Sequence, residues 1–213
     1  MMRKPFTLVE VLIAMSVLSV FLLGLMQFFT STETMRTSGV ERTDLFERAR
    51  IVMDMMANDL TCVYYSQSDK SLKPFISGSS SFSVATVRPE KLNKSAKTNI
   101  VGVKYEWDSS KYRLNYSYDP SGDTFDISDA GFSNKSELID GVTKFEVKPL
   151  YGENCKALPG IVEIRMELVD GKSLKRIEAN PSAKSNILKT ATRYEFRRVV
   201  AIDRGQPKPK LND

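Results

Sequence analysis

The 213-residue chain contains no histidine, two cysteines and one tryptophan. Without histidine the commonest general base and the commonest zinc ligand are both missing, so Ser/His/Asp, Cys/His and HExxH sites are excluded. Neither GxGxxG nor GxxxxGK[ST] occurs, so the two familiar phosphate-cradling loops are absent as well. Catalysis would have to rest on carboxylates, Lys, Ser or Tyr alone, and no cluster of carboxylates or Ser/Lys pair stands out. No cofactor and no metal centre is expected. A strong charge of one sign is also lacking: the formal net charge is +5, with acids and bases interspersed along most of the chain. The local basic segment "RPEKLNKSAKTN", with Lys91, Lys94 and Lys97, reads as a solvated loop rather than a phosphate-binding patch, and nucleic acid is not an expected partner.

What the chain does have is a long apolar run near its start. Between Val11 and Met26 no residue is charged, and only Ser16, Ser19 and Gly24 interrupt the apolar side chains. At about 1.5 Å per residue, a helix from Phe6 to Phe29 spans roughly 36 Å, enough to cross a hydrocarbon core of about 30 Å. Arg3 and Lys4 precede the run and mixed charges follow it (Glu33, Arg36, Glu41, Arg42), which places the first residues in the cytoplasm and the remainder across the inner membrane. A cleaved secretory signal has a shorter apolar region, of about 7 to 15 residues, and a small-x-small site, of which "QFFTSTETM" offers only a poor version. A plain uncleaved anchor fits the length, but not Glu10. An acid within the span costs roughly 2.5 to 3.5 kcal/mol on insertion scales, a penalty that snorkelling to the headgroups lowers.

The pattern around that acid, "KPFTLVEVLIAM", resembles the class III signal of type IV prepilins and type II secretion pseudoprepilins. These have a short basic leader, a Phe, a Glu at the fifth mature position and a long apolar helix. The resemblance implies that a prepilin peptidase cuts between Pro5 and Phe6 and methylates the new amine of Phe6, and that Glu10 is the fifth-position acid, an assembly residue. A positive amine packed inside a helical bundle needs a counter-charge, which a carboxylate in low dielectric supplies from its own helix or a neighbouring subunit. One position departs from the pattern. The family's leader usually ends in Gly, whereas Pro5 fixes φ and removes a backbone donor beside the scissile bond.

Beyond the apolar run, "ERTDLFERARIVMDMMANDL" (41–60) places Leu45, Ala49, Val52, Met56 and Leu60 at helical spacing, a stripe suited to packing on the domain's own sheet. Gly39 suggests a break before it. From residue 81 the period becomes two. "VGVKYEWD" and "YRLNYSYD", joined by a short turn, predict an antiparallel hairpin, and "SFSVATV", "TKFEVKPLY", "GIVEIRMELVD" and "TRYEFRRVVAI" predict further strands, with Val162, Ile164, Met166 and Leu168 on one face opposite Glu163, Arg165 and Glu167. One long helix followed by one or two antiparallel sheets is an α+β architecture.

Two later stretches, "ARIVMDMMANDLTCVYY" and "ELIDGVTKFEVKPLYGENCKALPGIVEIRMELVDG", resemble the minor pseudopilin J family of type II secretion. That resemblance implies a pilin-like fold and a non-enzymatic subunit at or near the tip of a periplasmic pseudopilus. Its implied partners are other minor and major pseudopilins, the prepilin peptidase, the inner-membrane secretion platform and, before assembly, the lipid bilayer. The implied location is the bacterial inner membrane, single-pass, with the globular domain in the periplasm. A type IV pilus minor pilin, for adhesion, motility or DNA uptake, would share the same N-terminal physics. The expected organisation is a leader over 1–5, a transmembrane and assembly helix over 6–29, its amphipathic continuation over 30–65, a periplasmic β domain over 66–203 and a flexible tail over 204–213.

Cys62 and Cys155 would face an oxidising compartment, where they form either one disulfide or two free, mostly buried thiols. "YDPSGDTFDISD" gathers Asp119, Asp123, Asp126 and Asp129, but without the EF-hand spacing, so a turn is the default reading over a calcium loop.

Overall fold

The computed structural model describes residues 7–64, 73, 75–78, 80–89, 98–119, 121, 126–151 and 159–202. It divides into two compact units, Met1–Asp44 and Leu45–Asp213. A single helix, α1 (Leu8–Thr61), begins in the first and ends in the second. The break suggested at Gly39 does not occur. One glycine costs a helix only about 1 kcal/mol, too little to interrupt turns that propagate from both sides, and Thr43 Oγ1 donates to the Gly39 carbonyl at 3.0 Å.

In the second unit the predicted stripe is buried at Ala49, Val52, Met56 and Leu60, joined by Met53 and Ala57, while Leu45 at its start is half-buried. It shares one apolar core with the inner faces of two antiparallel sheets. The first sheet comprises β1 (Phe75–Ser77), β2 (Ser81–Val87), β3 (Ile100–Asp108), β4 (Arg113–Tyr118) and β5 (Ser133–Asp140), paired in that order. The second comprises β6 (Val142–Tyr151), β7 (Ile161–Val169) and β8 (Arg193–Ala201), again in chain order. Phe82 stacks on Tyr105 with centroids 4.7 Å apart, and Phe145 from the second sheet lies 6.4 Å from Phe82, so aromatic rings tie the sheets together. On α1, Phe46 meets Tyr194 and Phe196 of β8 edge-on at 5.0 and 5.6 Å.

The alternation read from the sequence sorts β7 as expected. Val162, Ile164, Met166 and Leu168 are buried at 1% exposure or less, while the opposite face carries a charge network. There the Glu163 carboxylate is covered by flanking guanidinium groups rather than by the core: Arg165 lies at 2.8 Å and Arg197 also pairs with it. Those hydrogen bonds, Arg165 first, hold its pKa below the usual glutamate range against a smaller desolvation cost.

The two sheets are joined by one residue. Gly141 sits between β5 and β6 at φ +76, a left-handed conformation that turns the chain from one sheet to the next. A Cβ there would stand 3.1 Å from the Val169 carbonyl, which is itself fixed by the Val169 N to Gly141 O bond of 3.0 Å. Gly141→Ala is therefore expected to destabilise the domain by about 1–3 kcal/mol, read as a lower urea midpoint at unchanged slope.

Strands β1 and β5 and the helical segment between β7 and β8 lack a sequence expectation. The strands β1 and β5 lie at the edges of their sheet; β5 exposes most of its positions and so shows no apolar alternation. Between β7 and β8 the chain forms α2 (Gly171–Ala179), a 3-10 turn (Pro181–Ala183) and α3 (Lys184–Thr190). Asp170 caps α2 by accepting from Ser173 N at 2.8 Å and Ser173 Oγ at 2.7 Å. Leu174, Ile177 and Ile187 bury a small second core against Tyr112 and Val169.

Candidate assembly helix and its attachment to the domain

The N-terminal unit exposes the whole apolar run. Leu8, Val9, Leu12, Phe21 and Phe28 are each more than half exposed, and none of the most apolar eighteen-residue window is buried. Apolar surface on this scale finds stable surroundings only in lipid or against other helices. The long apolar N-terminal helix supports membrane anchoring. Its few hydroxyls suit either setting because the helix satisfies them itself: Ser16 Oγ donates to the Ile13 carbonyl and Ser19 Oγ to the Met15 carbonyl, both at 2.8 Å, and Thr30 Oγ1 donates to the Met26 and Gln27 carbonyls at 3.0 and 2.9 Å.

Glu10 lies in the first turn of α1 and is exposed. Its backbone N–H donates to the Thr7 carbonyl at 3.0 Å, and the acid sits where the positive end of the helix dipole favours it. Pro5 and Phe6, the expected cleavage and methylation positions, lie outside the described residues, as do Arg3 and Lys4. From Thr7 to Thr32, Glu10 is the only charged residue.

At the other end of α1 a second acid does something the sequence reading did not anticipate. Asp59 falls inside the buried stripe and is fully covered. Tyr105 Oη, on β3, donates to Asp59 Oδ2 at 2.6 Å. The Arg88 guanidinium, just past β2, faces Asp59 Oδ1 at 2.9 Å, without an aligned hydrogen bond to that oxygen, and Arg88 Nη2 also donates to Tyr116 Oη at 3.2 Å. Burial pushes the Asp59 pKa up, and the Tyr105 hydrogen bond and the Arg88 charge counter it. The Tyr105 hydroxyl is pushed well above the ordinary value of 10.0, first by burial and then by the Asp59 charge. The signal was present in the sequence as an acid between Met56 and Leu60 of an apolar stripe; its partners, 29 and 46 positions away, were not. Backbone bonds reinforce the joint: Tyr64 N donates to the Ala85 carbonyl and Val87 N to the Cys62 carbonyl, both at 2.8 Å.

The other predicted residues are not brought together. Cys62 lies exposed just past the end of α1, where the helix leaves the core. Cys155, and with it the possible bridge, lies outside the described residues. So does the basic stretch from Lys91 to Lys97. Of the four acids in the Asp-rich segment, Asp119 Oδ1 accepts from Ser121 N at 2.9 Å, and Asp126 caps the 3-10 turn Ile127–Asp129 through Ser128 N at 2.9 Å, both turn-forming roles. Asp123 is outside the described residues. Among the described residues no three His, Cys, Asp or Glu side chains converge as a metal site.

The chain is similar to the pilin-like protein PilA3 of Thermus thermophilus, with 41% identity over 59 residues. That similarity supports the type IV pilin-like superfamily. The match covers 28% of this chain and 25% of the relative, so the chain spans about a quarter of the length of the curated relative it matches. No family model matches the chain. A long apolar N-terminal helix followed by antiparallel sheets is the arrangement of a pilin-like fold.

Proposed function

We propose that this protein is a minor pseudopilin of a type II secretion system, a non-enzymatic subunit placed at or near the tip of a periplasmic pseudopilus to support export of folded proteins. The observation that carries the reading is Glu10, an acid in the first turn of a helix whose apolar N-terminal run is exposed throughout. Removal of residues 1–5 and methylation at Phe6 create the cation that Glu10 answers. Before assembly the helix crosses the inner membrane with its N-terminus in the cytoplasm. In the filament it packs among the helices of other pseudopilins. The later stretches that resemble the J family favour secretion over pilus building, while the pilin-like relative favours neither.

The test is the N-terminus of the membrane-extracted protein, by intact mass and peptide sequencing, in cells with and without the prepilin peptidase. A chain starting at methylated Phe6 only when the peptidase is present is the expected result; Met1 or Met2 at the start in both strains overturns it and leaves an uncleaved anchor. Deleting the gene then separates the two filament systems: loss of a secreted protein from the medium with surface pili intact supports the pseudopilin, and the reverse supports a type IV pilus minor pilin.

A further inference from the structure

Beside the small second core, a cavity of about 550 Å³ opens between the β3–β4 turn and the α2–α3 segment, within the usual range for ligand sites, about 300 to 1,000 Å³. We infer that this cavity binds an acidic side chain presented by a peptide segment of a partner protein. Lys111, Arg113 and Lys184 supply its charge, and Tyr112, Ile177 and Pro181 its apolar surface.

Three independent features point to this ligand. The first is charge placement: residues 171–190 contain five basic residues (Lys172, Lys175, Arg176, Lys184, Lys189) against the single acid Glu178, an excess of four where the whole chain has five, and all five basic side chains are exposed. The second is Arg113 in the lining: it pairs through Nη1 with Glu137 at 2.8 Å while 42% of its side chain stays exposed, and a planar guanidinium can hold a further carboxylate. The third is strain: Tyr112 adopts φ +55 although it is a bulky residue, with its ring buried and Lys184 Nζ held 4.7 Å from the ring centroid. Backbone strain of this kind concentrates at binding sites, where the fold holds one conformation against its local preference.

The concave shape and the aromatic floor favour a side chain on a peptide over the flat array of lipid headgroups. Glu178, also in the lining, repels a second acid and so disfavours polyanions such as nucleic acid. The inference does not depend on which filament system the protein serves.

The experiment uses the full chain in phosphatidylcholine nanodiscs, titrated calorimetrically with the peptide acetyl-Gly-Glu-Phe-Gly-amide and followed also by the fluorescence of Trp107, the sole tryptophan, two residues before Ser109 of the cavity wall. Expected is saturable, salt-sensitive binding, about tenfold weaker in Lys184→Gln and again in Lys111→Gln. Both lysines are exposed, and unchanged circular dichroism confirms that the variants fold. The proposal is overturned if the Gln counterpart acetyl-Gly-Gln-Phe-Gly-amide binds equally, if neither peptide binds, or if both lysine variants bind as the parent does. Free glutarate binding as tightly as the peptide identifies a small acid as the ligand instead, and association with phosphatidylglycerol vesicles in place of peptide identifies a membrane.

Discussion

Replacing Glu10 by Ala is expected to leave the protein in the inner membrane and remove it from filaments. Under the proposed function its carboxylate faces the amine of Phe6 within a bundle of apolar helices, where removing one partner of a buried ion pair costs about 3 to 5 kcal/mol. Converted to an equilibrium, that is a loss of roughly a hundred- to several-thousandfold in assembly. The membrane-inserted form has no such need for the acid, and insertion scales assign it a penalty of about 2.5 to 3.5 kcal/mol. The two effects have opposite signs, which makes the variant informative. Crosslinking to other filament subunits and export of a secreted protein should both collapse, while the amount recovered from the membrane stays level or rises. Glu10→Gln should resemble Glu10→Ala, because a neutral amide does not balance a cation. An anchor that merely holds a binding domain at the membrane predicts instead that function survives both changes.

Asp59→Ala is expected to produce the largest loss of stability in the globular domain, about 3 kcal/mol or more. It strands the Tyr105 hydroxyl in the core and removes the counter-charge of Arg88, the two mechanisms by which single substitutions become severe. Asp59→Asn should cost less, since an amide oxygen still accepts from Tyr105 and the Arg88 side chain, 29% exposed, can be hydrated. Denaturant unfolding of the detergent-held chain measures both; equal losses for Ala and Asn would show that the hydrogen bond to Tyr105 contributes little. The same joint sets an alkaline limit. The folded Tyr105 keeps its proton well above 10.0, whereas in the unfolded chain it ionises near that value. Above about pH 10 the unfolded state therefore binds fewer protons than the folded one, and stability falls by up to about 1.4 kcal/mol per pH unit from this group. Tyr105→Phe should make that decline shallower.

Much of this was legible in the primary structure, for physical reasons that differ by element. The apolar run and Glu10 stand out because a bilayer-length segment tolerates so few polar groups that each is conspicuous. The helical stripe ending at Leu60 and the strands β2, β3, β4, β6, β7 and β8 announce themselves because each sets its apolar residues along one face, with a period of 3.6 or of 2. The elements without such a face escape. Edge strand β5 is mostly solvated, and α2 and α3, nine and seven residues long, are too short to hold a helix without the Tyr112 and Val169 surface beneath them.

The sequence alone thus determined the long helix and the six strands β2, β3, β4, β6, β7 and β8 that follow it, the membrane-seeking segment and its acid, since these rest on local periodicity and on the cost of charge in an apolar run. Only the tertiary structure decided that Asp59, Arg88 and Tyr105 form one buried joint, that Gly141 turns one sheet into the next, and that the basic α2–α3 segment closes a cavity over Tyr112. Those features arise between residues far apart in the chain, and no local pattern records which distant side chain will satisfy a buried polar group.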